Sequence, residues 1–417
     1  MDVIREIRVE SQNTSSCCLP SDWSLVPLSV VVAESKPIVY GIVQAGPHIE
    51  NGQPYIKTAD LTNFKVSNLQ RTSNEVASKY KRSVCKPNDI VIGLRGDLPT
   101  TIIVPNDLKE CNLTQGTARI SVKKEIDYRF INYALYSRLA VKKINVLSKG
   151  STFKEISLSD LRQVLLAVPN FSKEQQKIAE ILSTWDEAIT NTEKLIKQLK
   201  KRKKGLMQSL LTGKKRLKGF SGEWKEFAYS HLLREVNRPV IWNDDKLYKL
   251  ISVRRRSGGL FKRESLYGRD ILTKNLKTAV KGDFLISKMQ ILHGASGLVN
   301  SEFDGMKVSG SYLVLRAKNE EVLDMEYFNW LAKMPYFYHQ TYVASSGVHI
   351  EKMTFNYKAF LKLKTSLPEI NEQRAVVGIL NGTLNEIKAQ KHYLDELTNQ
   401  KKGLMQQLLT GQKRVKL

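Results

Sequence analysis

One nine-residue run is written twice in this chain. Residues 205–213 read GLMQSLLTG and residues 403–411 read GLMQQLLTG, differing only at Ser209 and Gln407. At the same spacing, EQQKIAEIL at 174–182 stands against EQRAVVGIL at 372–380. Agreement of this length marks an internal duplication, and a duplicated chain must build its fold from two related units. Weaker echoes carry the copy toward the N-terminus. Asp22–Trp23 with Pro37 faces Glu223–Trp224 with Pro239. Pro87-Asn88-Asp89-Ile90-Val91-Ile92 faces Lys281-Gly282-Asp283-Phe284-Leu285-Ile286, a turn running into an apolar strand. Phe130-Ile131-Asn132-Tyr133 faces Tyr327-Phe328-Asn329-Trp330. Each half therefore reads as a variable globular unit followed by a helical one better matched between the two copies. The expected domains are 1–166, 167–216, 217–365 and 366–417.

The helical segments carry the alternating four-three apolar spacing of a coiled-coil seam. In the first, the seam is Ile178, Leu182, Trp185, Ile189, Thr192, Ile196, Leu199, Lys203, Leu206 and Leu210. In the second it is Val376, Leu380, Thr383, Ile387, Gln390, Leu394, Leu397, Lys401, Leu404 and Leu408. Both helices follow a proline, and Gly213 and Gly411 are suited to end them. The internal Gly205 and Gly403 each cost roughly 1 kcal/mol and point to a local bend or a close contact. A narrow apolar stripe needs a partner, and the nearest is the other copy in the same chain. Packing on its own globular unit, or between chains, is the alternative. Spacing alone allows a parallel or an antiparallel pair. An antiparallel pair of about 40 residues would make a rod of roughly 60 Å, able to hold two reading heads at a set separation.

Charge narrows the partner. Sixty-six Lys and Arg against 41 Asp and Glu leave a formal net charge of +25, which points first to nucleic acid and second to an anionic membrane. No apolar run of about 18 residues is present to span a bilayer, and MDVIREIRVESQN lacks the apolar stretch of a secretory signal. Cys17, Cys18, Cys85 and Cys111 contain no CxxC pair and read as reduced thiols, which fits a cytoplasmic protein. The run KQLKKRKK at 197–204 is either a solvated helix face or a contact for phosphate or an acidic partner.

Catalytic motifs were not found. There is no GxxxxGK[ST] phosphate loop, no Pro-Pro-aromatic motif of amino-methyltransferases, and no HxH or HxxxH metal pair. Glu34-Ser35-Lys36 and Glu223-Trp224-Lys225 have a nuclease-like Glu-x-Lys spacing that a chain so rich in charge produces by chance. We expect no enzyme activity and no metal site.

These features together resemble the specificity subunit of type I restriction-modification systems, usually called HsdS. The four repeated helical motifs carry the resemblance. Two further pairs support it: GIVQAGPHIENGQPYIKTADLTN at 41–63 with KLISVRRRSGG at 249–259, and SKGSTFKEI at 148–156 with SSGVHIEKM at 345–353. The resemblance implies a mixed α/β fold with two target recognition domains separated by an antiparallel coiled coil of two long helices, related by a pseudo-two-fold repeat. It implies double-stranded DNA as ligand and two DNA methyltransferase subunits as partners, with restriction subunits as a further addition. S-adenosylmethionine, ATP and Mg would be used by those partners, and this chain would bind no cofactor. Drifted globular units and matched helices predict a bipartite, asymmetric DNA target with an unread spacer. A coiled-coil protein scaffold, or a free-standing DNA-binding regulator, would share much of this pattern.

Base reading needs Arg, Lys, Asn or Gln at base edges, positioned by phosphate contacts. In the first unit the candidates are Lys79, Tyr80, Lys81 and Arg82, with Arg95 and Lys149. In the second they are Arg254, Arg255 and Arg256 with Lys262 and Arg263, set around Gly258–Gly259 as a flexible basic loop or hairpin, and Lys288 and Gln290 in the region equivalent to Arg95. Tyr80 and Phe261 are interleaved for contacts to sugars or thymine methyl groups. His349, near the second glycine turn, reads either as a phosphate or base contact or, more commonly for such a residue, as an ordinary surface polar group.

Overall fold

The computed structural model describes residues 19–150, 154–347, 349 and 353–417. It divides into two compact units, one made of residues up to Glu193 together with Tyr393–Leu417, the other of Lys194–His392. Cys17 and Cys18 lie outside the described residues.

In the first unit a four-stranded sheet runs Val39–Tyr40, Thr117–Ile120, Ile90–Gly93, Thr101–Ile103, all neighbours antiparallel. A three-stranded sheet runs Gln70–Thr72, Gln53–Ile56, Asn112–Leu113, its last pair parallel. The strand Ile90–Gly93 is buried on both faces, and its side chains alternate as the pleat requires. Ile90 and Ile92 enter one core with Phe130 and Ile131, whereas Val91 enters another with Ile56, Cys85 and Cys111. The helix Tyr128–Ala134 covers the first core, and Asp127 caps it by accepting from the Arg129 and Phe130 amides.

The second unit repeats this plan. Its four-stranded sheet runs Leu233–Glu235, Tyr312–Ala317, Phe284–Ser287, Ser296–Leu298. A second sheet of Leu260–Tyr267, Leu247–Val253, Lys307–Ser309 and Leu276–Thr278 matches the three-stranded sheet with one strand added. Phe284 and Ile286 point to one core and Leu285 to the other. Asp324 caps Met325–Leu331 as Asp127 does its counterpart. In each unit a two-stranded ribbon joins the two ends of the globular part: Trp23–Pro27 with Leu165–Pro169, and Lys225–Ala228 with Lys364–Leu367.

Two long helices follow those ribbons, Ser172–Leu210 and Ile370–Leu408. Each ends three residues before the glycine expected to stop it, and Gly213 and Gly411 then turn the chain at φ 69° and 70°. A side chain at Gly411 would collide with Pro20 at 2.5 Å. Gly205 and Gly403 are not close contacts, since a Cβ at either would meet nothing within 4 Å. Each unit takes the start of one helix and the end of the other. Ile178 and Leu182 share the first unit's core with Leu408 and Leu409, and Val376 and Leu380 share the second unit's core with Leu210 and Leu211. Fully burying such a side chain contributes roughly 1.5–3 kcal/mol.

The helix segments are antiparallel within each unit. In the first, Lys401 pairs with Asp186 at 2.5 Å and Arg414 with Glu174 at 2.8 Å. In the second, Arg202 pairs with Glu386 at 3.9 Å and Arg216 with Glu372 at 2.6 Å. Every seam position named above is buried or half-buried, including Trp185, Ile189, Ile196, Leu199, Leu206, Ile387, Leu394, Leu397 and Leu404. Gln175 and Gln373 act alike at the helix starts. Each donates to a proline carbonyl (Pro169 or Pro368, 2.9 Å) and accepts from the amide of the capping aspartate, Asp127 or Asp324.

Candidate nucleic-acid interface

Lys79 closes the short helix Asn74–Lys79, and Lys81, Arg82 and Ser83 form the 3-10 turn that follows. The turn is held from beneath. Buried Arg119 donates to the Arg82 and Val84 carbonyls at 2.8 and 2.7 Å, and Asn112 donates to the Tyr80 carbonyl at 3.4 Å. A guanidinium saturating the inner carbonyls leaves the Lys79, Lys81 and Arg82 side chains exposed. Half-buried Tyr80 lines a shallow pocket of about 230 Å³ with Tyr40, Lys79 and Arg82. Lys79 is paired with exposed Glu75 at 3.0 Å, a contact worth little in water.

Arg95 and Lys149 come together through a residue outside the candidate set. Glu155 exchanges backbone hydrogen bonds with Lys149 at 2.8 and 2.9 Å, and its carboxylate accepts from Arg95 Nε at 3.0 Å. The motif at 148–156 is thus a small hairpin laid beside the exit of strand Ile90–Gly93. Residues 151–153 lie outside the described residues. The motif at 345–353 begins a longer pairing, Ser345–Ser346 with Thr354–Phe355 just beyond it, and the Phe355 amide donates to the Lys288 carbonyl at 3.1 Å. In the first unit the same bond runs from the Ile156 amide to the Leu94 carbonyl at 3.0 Å, so Lys288 stands at the place of Leu94, one residue before that of Arg95. His349 is exposed, between residues that are not described.

Arg254, Arg255 and Arg256 form the tip of the hairpin between Leu247–Val253 and Leu260–Tyr267. Of the flexible loop or hairpin expected around Gly258–Gly259, the hairpin is present and its tip is pinned. The Arg256 amide donates to the His293 carbonyl at 2.5 Å, the Ser257 amide to the Gly294 carbonyl at 3.0 Å, and the Ser257 and Tyr338 hydroxyls lie 2.5 Å apart. Arg256 and Ser257 are held at φ 57° and 52°, a conformation that side chains other than glycine rarely adopt and that surrounding contacts must enforce. Arg255 and Arg256 line a pocket of about 360 Å³ with Leu292, His293 and Tyr338. Gln290 precedes the 3-10 turn that forms this wall, and its Oε1 is buried without a hydrogen-bond partner among the described residues. Sequence reading missed Ser257 and Tyr338, because their pairing spans 81 residues with no local signal.

Three other candidates are engaged elsewhere. Phe261 lies under Arg254, whose guanidinium sits 4.6 Å from the ring centroid. Lys262 pairs with Glu302 at 3.5 Å, and Arg263 with Glu264 at 2.5 Å, on the exposed strand beyond the tip.

The strand orders also show which places correspond. The Arg254–Gly259 tip corresponds to the connection after Gln53–Ile56, where Lys57 and Lys65 lie. The Lys79–Arg82 turn corresponds to the stretch after Leu260–Tyr267, where Arg269 and Lys274 are paired with Asp245 and Asp244 at 3.1 and 3.0 Å. The strongest basic clusters of the two units thus stand at different points of one shared fold. Among the described residues no group of His, Cys, Asp and Glu is arranged to hold a metal, and no helix is long and apolar enough to cross a membrane.

Comparison with known proteins places these features. Residues 41–201 match the type I restriction modification DNA specificity domain. The type I restriction enzyme EcoBI specificity subunit of Escherichia coli is 28% identical over 208 residues, 49% of this chain but only 42% of that protein. The MjaVIII specificity subunit of Methanocaldococcus jannaschii is 23% identical over 430 residues, covering 95% of this chain and 94% of its own length. In fold, the chain is similar to the crystal structure of the type I restriction-modification S subunit from M. genitalium, with a TM-score of 0.58 at 16% identity over 95% of this chain and 98% of that one. The HsdS subunit from Thermoanaerobacter tengcongensis gives 0.52 at 17% identity, over 95% and 98%. A duplicated mixed α/β fold with long helices, a match to the specificity domain over residues 41–201 and relatives of one kind along its length make the chain similar throughout to the specificity subunits of type I restriction-modification systems.

Proposed function

We propose that this chain reads a bipartite, asymmetric DNA sequence, one element per unit, and carries out no chemistry itself. Its partners would be two DNA methyltransferase subunits docked through the helical segments, with restriction subunits added to them, acting on DNA in the cytoplasm. S-adenosylmethionine, ATP and Mg would belong to those partners. The domain scheme of two recognition segments, 1–166 and 217–365, and two helical segments, 167–216 and 366–417, is part of this reading.

The observation that carries the proposal is the contrast between the two units. They share strand order and caps, yet their exposed basic turns, Lys79–Arg82 and Arg254–Arg256, stand at non-equivalent positions. Two copies of one scaffold presenting different side chains at different places are suited to reading two different sequences. Arg255, Arg256 and Gln290 would read base edges in the second unit, and Lys81, Arg82, Arg95 and Lys149 would supply phosphate and base contacts in the first.

Selection from random duplexes, using the chain in complex with its methyltransferase subunits, tests the proposal. The expected product is one motif of two unlike elements separated by a fixed number of unselected base pairs. Binding without sequence preference would support a protein scaffold instead. A palindromic motif would contradict the assignment of different readings to the two units.

A further inference from the structure

The basic run of the first long helix is matched in the second only at its end, where Lys203 and Lys204 face Lys401 and Lys402. Lys197, Lys200, Lys201 and Arg202 stand where the duplicate helix has Asp395, Thr398, Asn399 and Gln400. If the run were only a solvated face favoured by the helix dipole, both copies would gain from it equally. They differ sharply, although the surrounding seam is matched.

Within the second unit the run is reinforced. The Arg202–Glu386 pair sets the register of the antiparallel segments, and this brings Lys388 and Lys391 level with Lys200 and Lys197. Lys197, Lys200, Lys201, Lys204, Lys388 and Lys391 are all exposed. None of the six has an ion-pair partner among the described residues. From Lys197 to Lys204 the helix advances roughly 10 Å, a length over which one strand of duplex DNA presents about three phosphates.

We infer that this lysine face binds the sugar-phosphate backbone of double-stranded DNA, in the unread spacer of the target. The inference rests on the proposed DNA-reading function and deepens it. Two identical methyltransferase subunits docking on a duplicated protein would use equivalent surfaces, and this surface exists once. The spacer is also present once per complex, and it is a polyanion. Contacts here add affinity without adding sequence information.

The test uses the full chain in complex with its methyltransferase subunits, and a variant carrying Lys197→Gln, Lys200→Gln, Lys201→Gln and Lys204→Gln. Binding is measured across a salt series on three duplexes: the natural target, the same target with neutral methylphosphonate linkages in the spacer, and a random sequence. On the natural target the variant binds at least tenfold more weakly, and its slope of log K against log salt is shallower by about three units. Its selected motif is unchanged. Neutralising the spacer weakens the unsubstituted complex to a similar degree and leaves the variant unaffected. Equal affinity of variant and unsubstituted complex on the natural target overturns the inference while leaving the proposed function standing. So does loss of methyltransferase co-purification with DNA binding of the assembled complex intact, which would assign the face to an acidic protein. Failure of the unsubstituted complex to prefer its target over the random duplex overturns the proposed function itself.

Discussion

Arg414 and Glu174 lie 240 residues apart in sequence, and the guanidinium grips the carboxylate through Nε at 2.8 Å and Nη2 at 2.9 Å. Arg216 repeats the grip on Glu372 at 2.6 Å through the same two nitrogens. In each unit an arginine from beyond the end of one long helix neutralises a buried glutamate in the first turn of the other. The contact ties helix ends that are remote in sequence, and it recurs because the whole arrangement was duplicated.

Removing that arginine leaves a carboxylate only 1% exposed with no counter-charge. Arg414→Ala should therefore lower the stability of the first unit by roughly 2–3 kcal/mol, the buried-pair value discounted for the partly exposed arginine. Urea unfolding checks this, and an unchanged midpoint would show that water or another cation replaces Arg414.

The hydroxyl of Tyr338 positions the Arg254–Arg256 tip without facing the bulk of the core. Tyr338→Phe keeps the ring and removes the bond to Ser257. Thermal stability should change by no more than about 1 kcal/mol, while discrimination at one element of the target relaxes. Selectivity retained across both elements would show that the strained turn holds itself.

Base-reading and phosphate-contacting residues should separate by salt. Replacing Lys81 and Arg82 by Ala should weaken binding to every sequence and reduce the salt slope by about two units. Replacing Arg255 by Ala should cost about 1–3 kcal/mol at one base position. A sequence-specific loss from the Lys81 and Arg82 changes would reverse these roles.

Lys333 offers a pH signature. Burial first, and the nearby charge of Lys203 second, push its ammonium down to about 8, against an ordinary value near 10.5. Below pH 8 the folded state carries the full penalty of a buried charge, and above pH 10.5 neither state carries it. Stability from this group therefore rises with pH between those values. Lys333→Met should raise the urea midpoint at pH 7, by less than the desolvation alone because the contact with the Trp330 ring at 4.1 Å is also lost, and the gain should shrink by pH 10. A gain that grows with pH would be inconsistent with a buried cation.

The duplication made much of this fold legible. Matched seams told which helical residues would turn inward, and the matched turn-strand pairs around Asp89 and Asp283 located the central strand of each unit. The candidate site was less legible because side-chain roles there depend on distant partners. Arg119 supports the Lys79–Arg82 turn from another strand, and Tyr338 pins the arginine tip from a helix remote in sequence. Lys262 looked equal to Arg255 in sequence, and only the fold sets Glu302 against it, whereas Glu264 stands next to Arg263 in the chain. The Lys79 and Arg254 clusters are alike in charge, but charge carries no record of strand order, and the fold sets them at different points.

Mapping methylated bases across the genome of cells carrying the methyltransferase subunits addresses the central claim most directly, comparing this chain with its Arg255→Ala, Arg256→Ala variant. The account predicts a two-element asymmetric motif whose one element becomes degenerate in the variant while the other element and the spacing stay fixed. A motif that does not depend on this chain, or two elements that change together, would contradict it.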